Sequence, residues 1–187
     1  GKVVLAARSE DKLKAEVEKI KAAGGEAVYI VTDVAKRDQV SAMADFAVKT
    51  YGRIDVMVCN AGTMPLGFFS DHKVAMDAWE NCWDLSLKGT LYCISAVYDQ
   101  MVEQGQGQVI VLSSIYGNFP LPGAAVYQVA KMGVEYLAES LRSEAQGIIK
   151  TTVIKPTGFG RTGLSNSTVN LNAGVSVMSD LIAAGDQ

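Results

Sequence analysis

Five short runs of β-favouring apolar residues alternate with stretches of helical spacing, and this alternation limits the possible folds more than any other feature of the chain. The runs are KVVLAA at 2–7, AVYIV at 27–31, IDVMVC at 54–59, QVIVL at 108–112 and TTVIK at 151–155. After the first, Ser9 offers an N-cap, and Leu13, Val17 and Ile20 recur at helical spacing until Gly24-Gly25. After the second, Val40, Met43, Phe46 and Ala47 lead to Gly52, and further helices are predicted over about 74–104 and 125–146. Strands that are apolar on both faces need cover on both, which a parallel sheet between two helical layers provides. The predicted fold is α/β, a doubly wound parallel sheet with helices on both faces. No repeat or linker divides it, so residues 1–187 read as a single domain. From Gly158 onward Gly, Ser, Thr and Asn dominate, which reads as a mobile loop over a site.

Composition narrows the function. Seventeen basic and 20 acidic side chains give a net charge of −3, which offers no electrostatic footprint for a phosphate backbone or a membrane surface. Apolar stretches such as VVLAA at 3–7 fall far short of the ~20 residues that span a bilayer. The expected partner is a small molecule, and the expected location the cytoplasm. Cys59, Cys82 and Cys93 lack any C-x-x-C spacing and read as reduced core thiols. The one histidine, His72, precedes a long helix, and there is no G-x-S-x-G, so a serine hydrolase is excluded. No cluster of side chains has metal-ligand spacing.

In open parallel sheets, ligands bind outside the carboxyl ends of the strands, where loops converge and helix N-termini present free N–H groups. Those ends carry Arg8-Ser9, Asp33-Val34, Asn60-Ala61-Gly62, Ser113-Ser114 and Pro156-Thr157-Gly158, small or polar positions along which a flat nucleotide could lie. In Tyr127-Gln128-Val129-Ala130-Lys131 the tyrosine and lysine share one helix face. A phenol pKa near 10 must fall for proton exchange at neutrality. One ammonium at ~4 Å, in an effective dielectric of ~20, supplies the ~3–4 kcal/mol required. Ser114, thirteen residues earlier at a strand end, could donate to an oxygen on which charge develops.

Taken together, Asn60-Ala61-Gly62, Ser114-Ile115-Tyr116-Gly117 and the Tyr127/Lys131 pair resemble the short-chain dehydrogenase/reductase family, from residue 2 to about Thr162. The resemblance implies a Rossmann-type fold and hydride transfer between a nicotinamide and a carbonyl or alcohol carbon. It makes Tyr127 the acid/base, Lys131 the residue that lowers its pKa and binds ribose, and Ser114 the holder of the substrate oxygen. It also implies that Asp33 and Val34 meet the adenine and that Asn60, Ala61 and Gly62 pack along its ribose. Pro156, Thr157, Gly158 and Thr162 would border the carboxamide. Arg8, placed where an aspartate would select NAD, can pair with a 2′-phosphate, so NADP(H) is expected over NAD(H). Met64, Pro65, Leu66, Tyr116, Phe119 and Pro120 are expected to line the substrate pocket, and a homodimer or homotetramer is expected from relatives. The alternative is a cofactor-less or truncated member serving as a binding or assembly module.

Three departures accompany the resemblance. Ser86 stands where the family has the asparagine of its proton relay, and a slower or water-compensated relay is expected. Thr157 replaces the glycine of Pro-Gly. The glycine-rich turn T-G-x-x-x-G-x-G is missing, and the chain starts at what the resemblance makes the second strand. The first strand would lie in mid-sheet, so the natural protein is expected to continue N-terminally by a strand, the turn and a helix, and C-terminally by a helix and a strand.

Overall fold

A computed structural model describes residues 1–157 and 163–175. In chain order the elements are β1 (Lys2–Ala7), α1 (Glu10–Ala22), β2 (Glu26–Val31), α2 (Arg37–Tyr51) and β3 (Val56–Cys59). They continue with α3 (His72–Trp83), α4 (Gly89–Glu103), β4 (Gly107–Leu112), α5 (Ala125–Glu144) and β5 (Ile149–Ile154). A π turn over Asp84–Lys88 joins α3 to α4, so the helical backbone runs unbroken from His72 to Glu103. All strand pairs are parallel, and helices cover the strands on both sides, the doubly wound α/β architecture expected.

Local chemistry accounts for the elements. In α1, Glu10 and Asp11 occupy the first turn and Lys19 and Lys21 the last, each complementing the helix dipole, while Leu13 and Val17 are buried. Ser9 stands at the N-cap, but its hydroxyl makes no capping bond; its carbonyl accepts from Leu13 N instead. Gly52 ends α2 at φ 81°, a left-handed conformation that glycine adopts without strain. The main core joins α2, α4, α5 and strands β3 to β5, with Val40, Val97, Met101, Val109, Val111 and Ile149 almost wholly buried. Each such side chain stabilises the fold by about 1.5–3 kcal/mol.

The strands form two sheets, β1-β2 and β3-β4-β5. Between them runs a groove of about 320 Å³, with Ala6, Ala7 and Arg8 on one wall and Met57, Val58 and Cys59 on the other. Among the described residues β1 pairs only with β2 and β3 only with β4, so each turns an unpaired edge outward. Val56 and Val58 remain about half exposed on β3.

The tail departs from expectation. Val169 N and Asn170 N donate to Leu66 O at 2.9 and 3.0 Å, Asn170 Nδ2 donates to Asp71 Oδ2 at 2.9 Å, and Ala173 is buried with Leu66, Leu121 and Ala124. The described tail is thus part of a small second core, held by backbone bonds that residue types alone do not reveal. Gly158 and Thr162 lie outside the described residues. Among the described residues, no helix is long and apolar enough to cross a membrane.

Candidate active site

The site is built where β4 ends. Past Leu112 the chain turns through Ser113 and Ser114 into a 3-10 turn over Ile115–Gly117, capped by Ser114 Oγ, which accepts from Tyr116 N at 3.2 Å. Helix α5 starts beside this turn, placing Tyr127 in its first turn and Lys131 one turn later. Lys131 Nζ lies 5.6 Å from the centroid of the Tyr127 ring, and the Ser114 hydroxyl is near enough to the phenol to draw its pKa down. Ser114, Tyr127 and Lys131 are 4%, 3% and 6% exposed. The structure therefore brings the three predicted residues together, enclosed by Met64 and by Tyr116, whose ring meets Tyr127 edge-on at 5.9 Å.

Its electrostatics differ from those expected of the sequence. Lys131 Nζ donates to Leu112 O at 2.8 Å rather than to the phenol. Burial pushes the Tyr127 phenol above its usual range, the Ser114 hydroxyl opposing, and pushes the Lys131 ammonium below its own. A buried ammonium takes the strongest acceptor within reach, and here that is the carbonyl closing β4.

Ser86 occupies the middle of the π turn, 1% exposed, and among the described residues its Oγ has no hydrogen-bond partner. Gly62 faces it: a Cβ there would lie 2.8 Å from Ser86 Oγ and 3.5 Å from Lys131 Nζ, so a larger residue would make Ser86 Oγ shift. Ser86 and Lys131 thus both border the space beside Gly62. Cys82, one turn before Ser86, donates to Thr63 O at 3.3 Å, and burial pushes its thiol up. It is a core thiol as expected, but one that packs against Tyr127, which its i−4 spacing from Ser86 could have indicated.

The groove between the sheets gathers Arg8, Asp33, Val34, Asn60, Ala61 and Gly62. Asp33 Oδ1 accepts from Ala35 N at 3.0 Å, fixing the turn after β2. Pro156 O accepts from Ile115 N at 3.3 Å, tying the end of β5 to the 3-10 turn, and Thr157 is exposed. Two expected pocket residues are core instead. Pro65 and Leu66 are buried, and Pro65 O accepts from Trp79 Nε1 at 3.1 Å, because the loop folds inward to meet the tail. Glu135 and Lys155 were not among the residues expected at the site. Glu135 lies one turn beyond Lys131 on the same face of α5, and that spacing was the available signal.

A family model described as short chain dehydrogenase matches residues 1–172. The chain belongs to the short-chain dehydrogenase family. An uncharacterised oxidoreductase of Listeria innocua is 40% identical over 158 residues, covering 83% of this chain and 63% of the relative. The chain therefore spans under two thirds of the length of that curated relative. A short-chain dehydrogenase/reductase from Burkholderia phymatum, solved with NAD, superposes with a TM-score of 0.82 at 26% identity, covering 89% of this chain and 59% of that one. A metagenomic short-chain oxidoreductase solved with NADP gives a TM-score of 0.78 at 30% identity, covering 83% of this short-chain dehydrogenase and 71% of the other.

Proposed function

We propose that the protein is an NADP(H)-dependent oxidoreductase that interconverts a carbonyl and a secondary alcohol, with Tyr127 as general acid and base. One arrangement carries the reading: Ser114 and Tyr127 brought together at the end of β4, with Lys131 Nζ 5.6 Å from the tyrosine ring, beside the groove between the sheets. We read residues 1–187 as part of one nucleotide-binding domain.

The groove suits the nucleoside half of a dinucleotide. Ala6, Ala7, Ala61 and Gly62 leave room for a flat ring and a sugar, while Asp33 and Asn60 supply polar groups. Arg8 on the same wall would take a 2′-phosphate. Pro156 and Thr157 would border the carboxamide. When bound, the cofactor supplies or accepts the hydride.

The chain's own groups handle the proton and the geometry. Ser114 Oγ would hold the substrate oxygen, and Tyr127 Oη would donate its proton there on reduction and recover it on oxidation. Burial keeps the phenol protonated, and the lowering of its pKa that donation requires would come from Lys131. Lys131 would steady the phenolate that remains. Ser86 Oγ, which has no partner among the described residues, would relay the proton outward past Lys131. Met64 and Tyr116 would exclude water.

Exposed Leu91 on α4 and Val129, Met132 and Tyr136 on α5 support association with further copies as a homodimer or homotetramer. The function is tested by a panel of carbonyls and alcohols followed at the nicotinamide absorbance with the full-length protein. NADPH-dependent turnover is expected. No turnover of any member, together with no NADPH-induced rise in melting temperature, would favour the cofactor-less binding or assembly module instead.

A further inference from the structure

Glu135 lies outside the proposed chemistry. Its carboxylate accepts a hydrogen bond from Ser113 Oγ and pairs with Lys155 Nζ at 2.7 Å. Lys155 Nζ in turn donates to Asn118 Oδ1 at 3.1 Å, in the loop after the 3-10 turn. Ser113 Oγ also lies 3.1 Å from Lys131 O. Gly117 approaches so closely that a Cβ there would stand 3.3 Å from Glu135 Oε1. One carboxylate therefore meets four segments: the end of β4 next to Ser114, the turn Ile115–Gly117, α5 one turn past Lys131, and the end of β5 next to Pro156.

These segments carry every residue proposed to act on the substrate oxygen. The Glu135 side chain is 22% exposed, so its pair with Lys155 is less screened by solvent than a fully exposed one. None of these groups faces the phenol, so they cannot exchange its proton. What they fix is the spacing between strand end and helix on which the Ser114 and Tyr127 contact depends.

We propose that Glu135, held by Lys155, is a positioning residue that sets the distance between Ser114 and the Tyr127/Lys131 face of α5. The proposal rests on the Tyr127 chemistry above. The full-length protein with Glu135→Gln, Glu135→Ala, Lys155→Met and Lys155→Arg is assayed for kcat and for the KM of NADPH. Hydrogen exchange is followed at residues 113–118. Glu135→Ala and Lys155→Met are expected to lower kcat about ten- to a hundredfold, the scale of ångström misplacement. The NADPH KM should change less than about twofold, because Arg8, Asp33 and Asn60 are not moved. Exchange at 113–118 should quicken, and Lys155→Arg, which keeps the charge, should restore most of kcat.

If Glu135→Ala does not fold, Glu135→Gln and Lys155→Met decide the matter. An active wild type whose kcat is unaltered in these variants overturns the positioning role alone. So does a fall in melting temperature with kcat and KM changing in parallel, or failure of Lys155→Arg to rescue. A wild type that reduces or oxidises nothing overturns the enzymatic reading, and the positioning role with it.

Discussion

Replacing Tyr127 by Phe removes one hydroxyl and no carbon, so the packing of the ring against Cys82, Ala130, Met64 and Tyr116 is unchanged. The folded state loses the phenol's interaction with the Ser114 hydroxyl, worth at most about 1 kcal/mol, while Ser114 Oγ keeps the Tyr116 N–H at 3.2 Å. Against that loss stands relief from holding a hydroxyl on a side chain that is 3% exposed. The two offset, and the change in stability is within about 1 kcal/mol, or roughly 2–4 °C in Tm for a chain of this size. Catalysis is affected quite differently. Without its proton donor the reaction loses about 10²- to 10⁴-fold in kcat/KM, or about 3–5 kcal/mol of barrier. Tm by differential scanning and kcat/KM on the best carbonyl of the panel, both on full-length protein, separate the two effects. A variant retaining more than about a tenth of wild-type kcat/KM would refute the role given to the phenol. A Tm drop of about 10 °C would refute the packing argument.

Three further outcomes follow from the same geometry. Burial holds the Tyr127 phenol above the usual value near 10, so the folded chain keeps this proton after the unfolded chain loses it. Stability present below about pH 10 is therefore lost as the pH rises further, and urea midpoints from about pH 9 to 11 should fall more steeply for wild type than for Tyr127→Phe; parallel curves would contradict the raised value. Arg8→Ala should raise the KM for NADPH about tenfold or more while leaving that for NADH within twofold, as expected for loss of a charge-assisted bond; equal effects on both would end the NADP(H) assignment. Gly62→Ala places a methyl 2.8 Å from Ser86 Oγ, and overpacking of about 1–3 kcal/mol should appear as a Tm loss of several degrees together with lower kcat. Unchanged Tm and kcat would show that Ser86 swings aside freely.

Elements governed by local pattern were legible in the sequence, and those governed by contacts between distant residues were not. The runs around β1, β2 and β4 are apolar on both faces, and the strands form within a residue of the predicted bounds. At β3 the prediction began two residues early. Ile54 is buried, but its backbone pairs with the Gln104 side chain, which accepts from Ile54 N at 2.9 Å and donates to Ile54 O at 2.8 Å, replacing a strand partner. Nothing in the spacing of Ile54 announces a glutamine fifty positions away. In the site, the three residues at motif spacing converge as expected because helix periodicity fixes Tyr127 against Lys131 and the end of β4 fixes Ser114. The direction of the Lys131 amine was not legible, since its acceptor is the Leu112 carbonyl, a group every residue carries. The Glu135 cluster was hidden for a similar reason: Ser113, Asn118, Glu135 and Lys155 come from four segments that only the folded chain brings together.

The central claim, that carbon-bound hydrogen and a phenol proton move together at this site, is tested most directly by isotope. Full-length protein is given NADPH carrying deuterium at both C4 positions and a carbonyl from the panel, and the alcohol is analysed by mass spectrometry. The account predicts a single deuterium on the carbinol carbon, with none exchanged into water, and loss of the labelled product with Tyr127→Phe. An alcohol without deuterium, or labelled product formed equally well by Tyr127→Phe, would contradict it.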